Sequence, residues 1–385
     1  MNSLIQLTRI KKYTDEQQLP LSTYKNRWKS LALSMKFLGL KFEKRFTPHI
    51  IFMLIAEKIF TIFFIYENII ILTSTSSRVH WIIFIYFVFF HFVNIFSLYY
   101  FHMKKKKITA NLNNLYKVSG ISSETCTKSR SMLIKVCLVW LNSIVYNVVA
   151  YLNIANKKFQ LVTINEIFNI NSDDYRADII TFGLCFFGNF VIANQFHFLL
   201  LYFCSICKDF EYSFVLIRKK IAEKRTPKQI NEASFKYMQI SAMVNEIESI
   251  YSPILFLWSA FVVGNVVFMI GSYLQRMKSS INMTDIITFF CCTGFQLLLF
   301  CNVCLSSSNM NREAKKFAMS LYKLSLFIND PSIQQFAFQF SVEILQDLPN
   351  FSAWNMFCID NNLTMTIFSA VVTYGLVMYQ FSSKE

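Results

Sequence analysis

Seven apolar stretches of membrane length, near residues 50–73, 79–101, 132–155, 178–206, 251–274, 285–307 and 362–381, divide this chain. An α-helix needs about 20 mainly apolar residues to cross a hydrocarbon core about 30 Å thick, and each stretch supplies them. Across 385 residues, 54% are hydrophobic and only 16% charged, well to the apolar side of a water-soluble domain. The expected fold class is an all-α membrane protein, one domain over residues 1–385 with seven transmembrane helices. No internal repeat or linker marks a second domain.

The lysines and arginines fix an expected orientation. Of the 38, the segments 1–49, 103–130, 207–249 and 309–350 carry 29, while 74–79, 156–176, 275–284 and the tail after 381 carry 7. Lys58 and Lys135 lie inside spans. Basic residues accumulate on the cytosolic side of a membrane, so the N-terminus is expected in the cytosol and the C-terminus outside. The formal net charge of +15 is thereby explained without nucleic acid, because apolar spans cut the basic blocks apart. Lys104 to Lys107 reads as an anchor beside anionic lipid. Residues 1–20 are polar, so the first span is expected to serve as its own signal.

Chemistry-bearing motifs are sparse. Gly183 to Gly188 has the spacing of a phosphate loop, but Asn189-Phe190 follows where Lys-Ser/Thr is required. No HExxH or GxSxG occurs, and the chain is not expected to be an enzyme or to carry a cofactor. Two cysteine pairs at CxxC spacing, Cys204 with Cys207 and Cys301 with Cys304, have no local histidine, so no metal is expected. All ten cysteines fall in spans or on the expected cytosolic side, which leaves no outer pair for a disulfide. His91 and His197, inside spans, are expected to be hydrogen-bonded within the bundle, and Glu57, Lys58 and Glu67 to face the bundle or an interface. Lys135 sits close enough to the inner end of its span to snorkel.

Outside the spans, residues 207–249 and 312–348 carry helical stripes. Ala314, Phe317, Ala318, Leu321, Leu324 and Ile328 repeat at three and four; Pro331 breaks the pattern, and Ile333, Ala337, Phe340 and Ile344 resume it before Pro349. These helices fit either a compact intracellular base or helices lying on the membrane surface.

The last span is the most unusual. Phe357 to Leu363 is expected to open it. With about 100° per residue and Thr366 at zero, Asn362, Ser369, Thr373 and Gln380 fall at about 320°, 300°, 340° and 320°. Leu376 and Val377 edge this face. Lipid does not accept a stripe of amides and hydroxyls. It faces either water in a pore or a partner helix in the same bundle. Asp360, two residues before the apolar run, fits a helix cap or a hinge contact.

Thr373-Tyr374, five mostly apolar residues and Gln380-Phe381, preceded by Phe357, Ile359, Asp360 and Leu363, resemble the closing motif of the insect gustatory receptor family. The match is specific over about the last 25 residues, with Asn355-Met356 departing from the usual small residue and aromatic. Elsewhere the similarity is one of topology and length. The resemblance implies a tastant-gated, non-selective cation channel, a homo- or hetero-tetramer with other chemoreceptor subunits in the plasma membrane of chemosensory neurons. Each subunit would line the pore with Thr366, Ser369, Thr373, Leu376, Val377, Gln380 and Phe381. It also implies a pocket in the outer half of the bundle for a sugar or plant secondary compound. Trp81, Tyr86, Tyr146, Asn147, Asn189, Asn265, Tyr273, Thr293 and Gln296 are the candidates, with His80, Tyr151, Thr181, Phe268 and Thr288 at similar depth. The sister family of insect odorant receptors shares the topology. A G-protein-coupled receptor would need the opposite sidedness.

Overall fold

The computed structural model describes residues 28–38, 40, 78–121, 130–155, 179, 183, 186, 191, 193–223, 226–277 and 283–382. The expected first span, with Glu57, Lys58 and Glu67, lies outside them. The described residues are almost wholly helical, in the order α1 (Lys29–Phe37), α2 (Arg78–Ser119), α3 (Arg130–Ala155), α4 (Asn194–Glu223), α5 (Pro227–Met277), α6 (Met283–Phe289), α7 (Phe295–Ser325), α8 (Pro331–Gln346) and α9 (Asn361–Ser382). A π-helical turn, Phe290–Gly294, joins α6 to α7 without a break. A small antiparallel hairpin, β1 (Ser352–Ala353) and β2 (Phe357–Cys358), precedes α9.

The helix ends follow local chemistry. Gly120 stops α2 at a φ of 71°, and its N–H bonds to the Tyr116 carbonyl at 3.1 Å. Glycine takes this left-handed conformation with no Cβ to clash. Pro227 and Pro331 open α5 and α8, where the missing N–H is one that the helix would leave unpaired anyway. Asp330 caps α8, accepting the Ser332 N–H at 2.9 Å.

Three long helical segments, α3, α5 and α6 with α7, are long and apolar enough to cross a membrane. At 1.5 Å per residue the 51 residues of α5 extend about 77 Å, more than twice the thickness of a hydrocarbon core. α5 and α7 therefore continue well beyond any apolar layer and share a basal half with the lower part of α4 and with α8.

α4 is the central strut. From Asn194 to Cys207 every residue is buried, against α7 along most of its length and against α5, α2 and α3. In the basal half Tyr237 stacks on Phe317 at 5.0 Å and meets Phe340 edge-on at 6.0 Å, which ties α5, α7 and α8 together. Phe317 and Leu321 are fully buried, each contributing about 1.5–3 kcal/mol of apolar transfer. Glu313, nearly buried, bridges Arg218 of α4 at 3.0 Å and Lys316 at 2.6 Å. The stripes of residues 312–346 thus pack against α4 and α5.

Two elements depart from the sequence reading. Residues 1–49 had no element assigned, yet α1 buries Leu31 and Met35, with Leu38 just past its end, against α3 and α4. Trp28 bonds to Asp209 of α4, and the Leu38 carbonyl accepts from Gln195 at 3.0 Å. Those two α4 residues are about 21 Å apart along the helix, so α1 climbs α4 for most of its own length. The second departure is a correction: α9 begins at Asn361, while Phe357 and Cys358 lie in the hairpin. Trp354 and Asn355 turn the chain there at φ of 49° and 56°, and Asp360 then caps α9 by accepting the Leu363 N–H at 3.0 Å.

Candidate functional site

Among the described residues, α9 rests on α5 and α7 through one face. Leu363, Ile367, Ala370 and Val371, which are buried or half-buried, fall at about 60°, 100°, 40° and 140° in the frame with Thr366 at zero. The stripe of Asn362, Thr366, Ser369, Thr373 and Gln380 centres near the opposite side, and all five are exposed on the isolated subunit. Leu376 and Val377 beside it are exposed as well. The Phe381 side chain lies outside the described atoms.

The hydroxyls on this face have a fixed polarity. Thr366 donates to the Asn362 carbonyl and Thr373 to the Ser369 carbonyl, each at 2.9 Å. A hydroxyl has one proton and two lone pairs. With the proton spent on the helix backbone, the oxygens turn acceptor lone pairs outward. On the packed side, Ile367 is buried where α9 lies against α5 and α7.

The bundle interior holds the second set of candidates. Asn265 of α5 donates to the Gln296 side-chain oxygen of α7 at 2.5 Å, both residues buried. Asn147 is buried and donates to the Ser143 carbonyl at 2.7 Å; Tyr146 beside it is half-buried. Thr293 is buried within the π turn. Asn142 of α3 donates to the Cys291 carbonyl in the same turn at 3.2 Å. A π turn inserts one extra residue and frees a carbonyl from the helical ladder, and this amide supplies the partner. Asn265 and Gln296 thus meet in the interior, and the π turn that carries Thr293 packs against α5 and against α3, the helix of Tyr146 and Asn147. Trp81, Tyr86 and Tyr273 lie in α2 and α5 with only their backbone described, and Asn189 lies outside the described residues.

Sequence reasoning missed part of this interior. His197, fully buried on α4, has neither ring nitrogen hydrogen-bonded, which corrects the expectation that it would be. Its ring packs edge-on to Phe295 at 5.4 Å instead. The Asn94 amide nitrogen and the Thr293 hydroxyl are likewise buried without a hydrogen-bond partner. Phe90 and Phe196 each lie 5.3 Å from Phe261, which lines the neighbouring layer with aromatic rings. Aromatic walls with a few polar groups suit a small organic ligand. Lys135 bonds to the Asn302 side-chain oxygen, and Asn302 donates to Cys204 Sγ at 2.9 Å. Among the described residues, no three metal-ligating groups come together.

The comparisons with known proteins agree with this architecture. The structure is similar to the insect olfactory receptor OR5 from Machilis hrabei, with a TM-score of 0.61 and 10% identity over 92% of this chain and 97% of that one. The same receptor solved in complex with eugenol matches with a TM-score of 0.61 at 12% identity and the same coverage. At these identities the likeness establishes the fold alone. No curated protein sequence matches the chain. The sequence profile described as 7tm chemosensory receptor matches residues 49–385, most of the chain. This membrane protein belongs to the 7tm chemosensory receptor family of insect gustatory and olfactory receptors.

Proposed function

We propose that the chain is a gustatory receptor subunit that forms a tastant-gated, non-selective cation channel, with α9 of four subunits around a central pore. The observation that carries this reading is the polar face of α9. It is exposed among the described residues, and its threonine hydroxyls present acceptor oxygens. Acceptors of that kind favour hydrated cations without any ring of formal charge. Leu376 and Val377 supply an apolar constriction that closes by dewetting, and Gln380 and Phe381 stand at one end of it. In this reading seven spans cross the plasma membrane of a chemosensory neuron, with α8 and the base in the cytosol and the C-terminus outside.

The ligand would enter between α2, α3, α5 and the α6–α7 junction. Trp81, Tyr86, Tyr146, Asn147, Asn189, Asn265, Tyr273, Thr293 and Gln296 would contact a sugar or plant secondary compound there. The closing Thr-Tyr to Gln-Phe motif supports a gustatory role over an odorant one. The olfactory receptors among similar solved structures support the second reading, an odorant receptor subunit.

Expression of the full chain with current recording tests both. Cation currents evoked by sugars or bitter plant compounds support the gustatory reading, and responses confined to volatiles such as eugenol support the other. Surface-expressed protein that conducts under neither panel, alone or with partner subunits, rejects the channel. Gln380→Ala is expected to change conductance or basal leak. Epitope labelling in intact cells checks sidedness: an externally labelled N-terminus overturns it. Glycosylation at Asn282, with Asn350 left bare, gives the same answer independently.

A further inference from the structure

The β1–β2 hairpin sits against α5 across its only internal proline. Pro253 has no N–H, so α5 lacks one ladder hydrogen bond at this level and is the more easily bent there. Ser352 of β1 reaches α5 in the turn just before that point. Its hydroxyl donates to the Glu248 carboxylate and lies 3.4 Å from the Ser252 hydroxyl next to the proline. The Trp354 N–H bonds to the Ser252 carbonyl at 3.2 Å, and Phe256, one turn further, meets the Trp354 ring at 5.4 Å and Phe357 at 6.5 Å. Both serines are buried.

The hairpin is held in an unfavourable shape. Trp354 and Asn355 occupy left-handed backbone conformations, which a bulky tryptophan adopts only when its surroundings impose them. Nor is there slack on the far side. The Ile359 N–H bonds to the Phe351 carbonyl at 2.8 Å and closes the hairpin, and only Asp360 separates Ile359 from the first residue of α9.

We propose that Ser352, with Glu248 as its acceptor, is a positioning residue for α9, pinning the hairpin to α5 at Pro253 so that a bend in α5 moves the foot of α9. The gating consequence rests on the channel reading; the pin itself does not. α5 also carries Asn265, bonded to Gln296 in the candidate ligand region. A ligand that shifts the far part of α5 thereby reaches α9 through the hairpin.

The test uses the full-length receptor in lipid nanodiscs, read by hydrogen–deuterium exchange over residues 361–370. Ser352→Ala and Glu248→Gln are expected to speed exchange there about tenfold, with α7 and α8 unchanged, and Ser352→Thr, which keeps the hydroxyl, to restore it. Wild-type exchange in both variants overturns the proposal. Should Ser352→Ala not fold, the pair Ser252→Cys and Ser352→Cys replaces it, with each single variant as control for the native cysteines. Oxidation to the disulfide is expected to slow exchange in 361–370 and reduction to restore it; no difference overturns the pin. Ligand-free open probability in planar bilayers separates the two claims. A several-fold rise in Ser352→Ala supports positioning, whereas an unchanged value in a conducting channel overturns it. Absence of conductance in wild type and variants alike rejects the channel reading and leaves the exchange result to decide the pin.

Discussion

Trp28 and Asp209 are 181 positions apart, yet the indole Nε1 of the first donates to the carboxylate of the second at 3.0 Å. The Tyr116 hydroxyl donates to the same oxygen at 2.5 Å. One buried carboxylate thus gathers α2, α4 and the residue that opens α1. Asp209→Ala leaves two buried donors facing a hole, and the expected loss is about 3 kcal/mol, since hydrogen bonds to charged groups contribute about 1.5–3 kcal/mol each. Thermal melts in detergent check it, with Trp28→Phe expected to cost less than half as much.

Asn265 and Gln296 form a second buried pair, this one between α5 and α7. Asn265→Ala strands an amide oxygen, while replacing both residues with leucine removes donor and acceptor together. A double-mutant cycle is expected to give a coupling of about 0.6–1.7 kcal/mol, the range found for hydrogen bonds between membrane helices. A coupling near zero would show that the two amides are satisfied separately.

Glu211 lies on α4 in the basal half, where burial raises its carboxyl above the usual carboxylate range despite Lys208 nearby. A raised acid binds its proton more tightly in the folded state than in the unfolded one. The glutamate is therefore not penalised below the unfolded value of about 4.3 and becomes destabilising as the pH climbs through the folded value. Glu211→Gln is expected to raise the melting temperature at neutral pH, with the gain fading on acidification toward pH 4. Melting curves across that range test the sign.

Thr373 offers the sharpest test of the α9 face. Thr373→Val keeps the shape and removes the oxygen, so single-channel conductance is expected to fall by roughly half while α9 stays helical, the pore having lost one acceptor ring. Ser369→Ala removes the serine hydroxyl and is expected to act in the same direction. An unchanged conductance in Thr373→Val would place that face outside the ion path.

The long helices were legible because their apolar runs exceed any other element, and α8 because Pro331 and Pro349 bracket its stripe. The stripe on α9 was legible too, but not which face packs: that needed Leu363, Ile367 and Val371 to be seen against α5 and α7. The hairpin left no trace because its strands are two residues each and its turn uses Trp354 and Asn355 where glycine would be the signal. The π turn is equally silent, since Phe-Cys-Cys-Thr-Gly fits an ordinary helix and only the reach of Asn142 to the Cys291 carbonyl distinguishes it. α1 was hidden by its polar flanks, although Leu31, Met35 and Leu38 already had helical spacing.

The placement of α1 bears on how the protein is made. Its resting place is built partly from α4, so α1 leaves the ribosome well before Asp209 and Gln195, the two groups that hold its ends, have been synthesised. Until α4 arrives, a short amphipathic segment with Leu33 and Phe37 on its outer side must be kept from sticking elsewhere. Assembly of the subunit is then ordered by its middle: the earliest helix described waits for α4, and a defect in α4 would strand both.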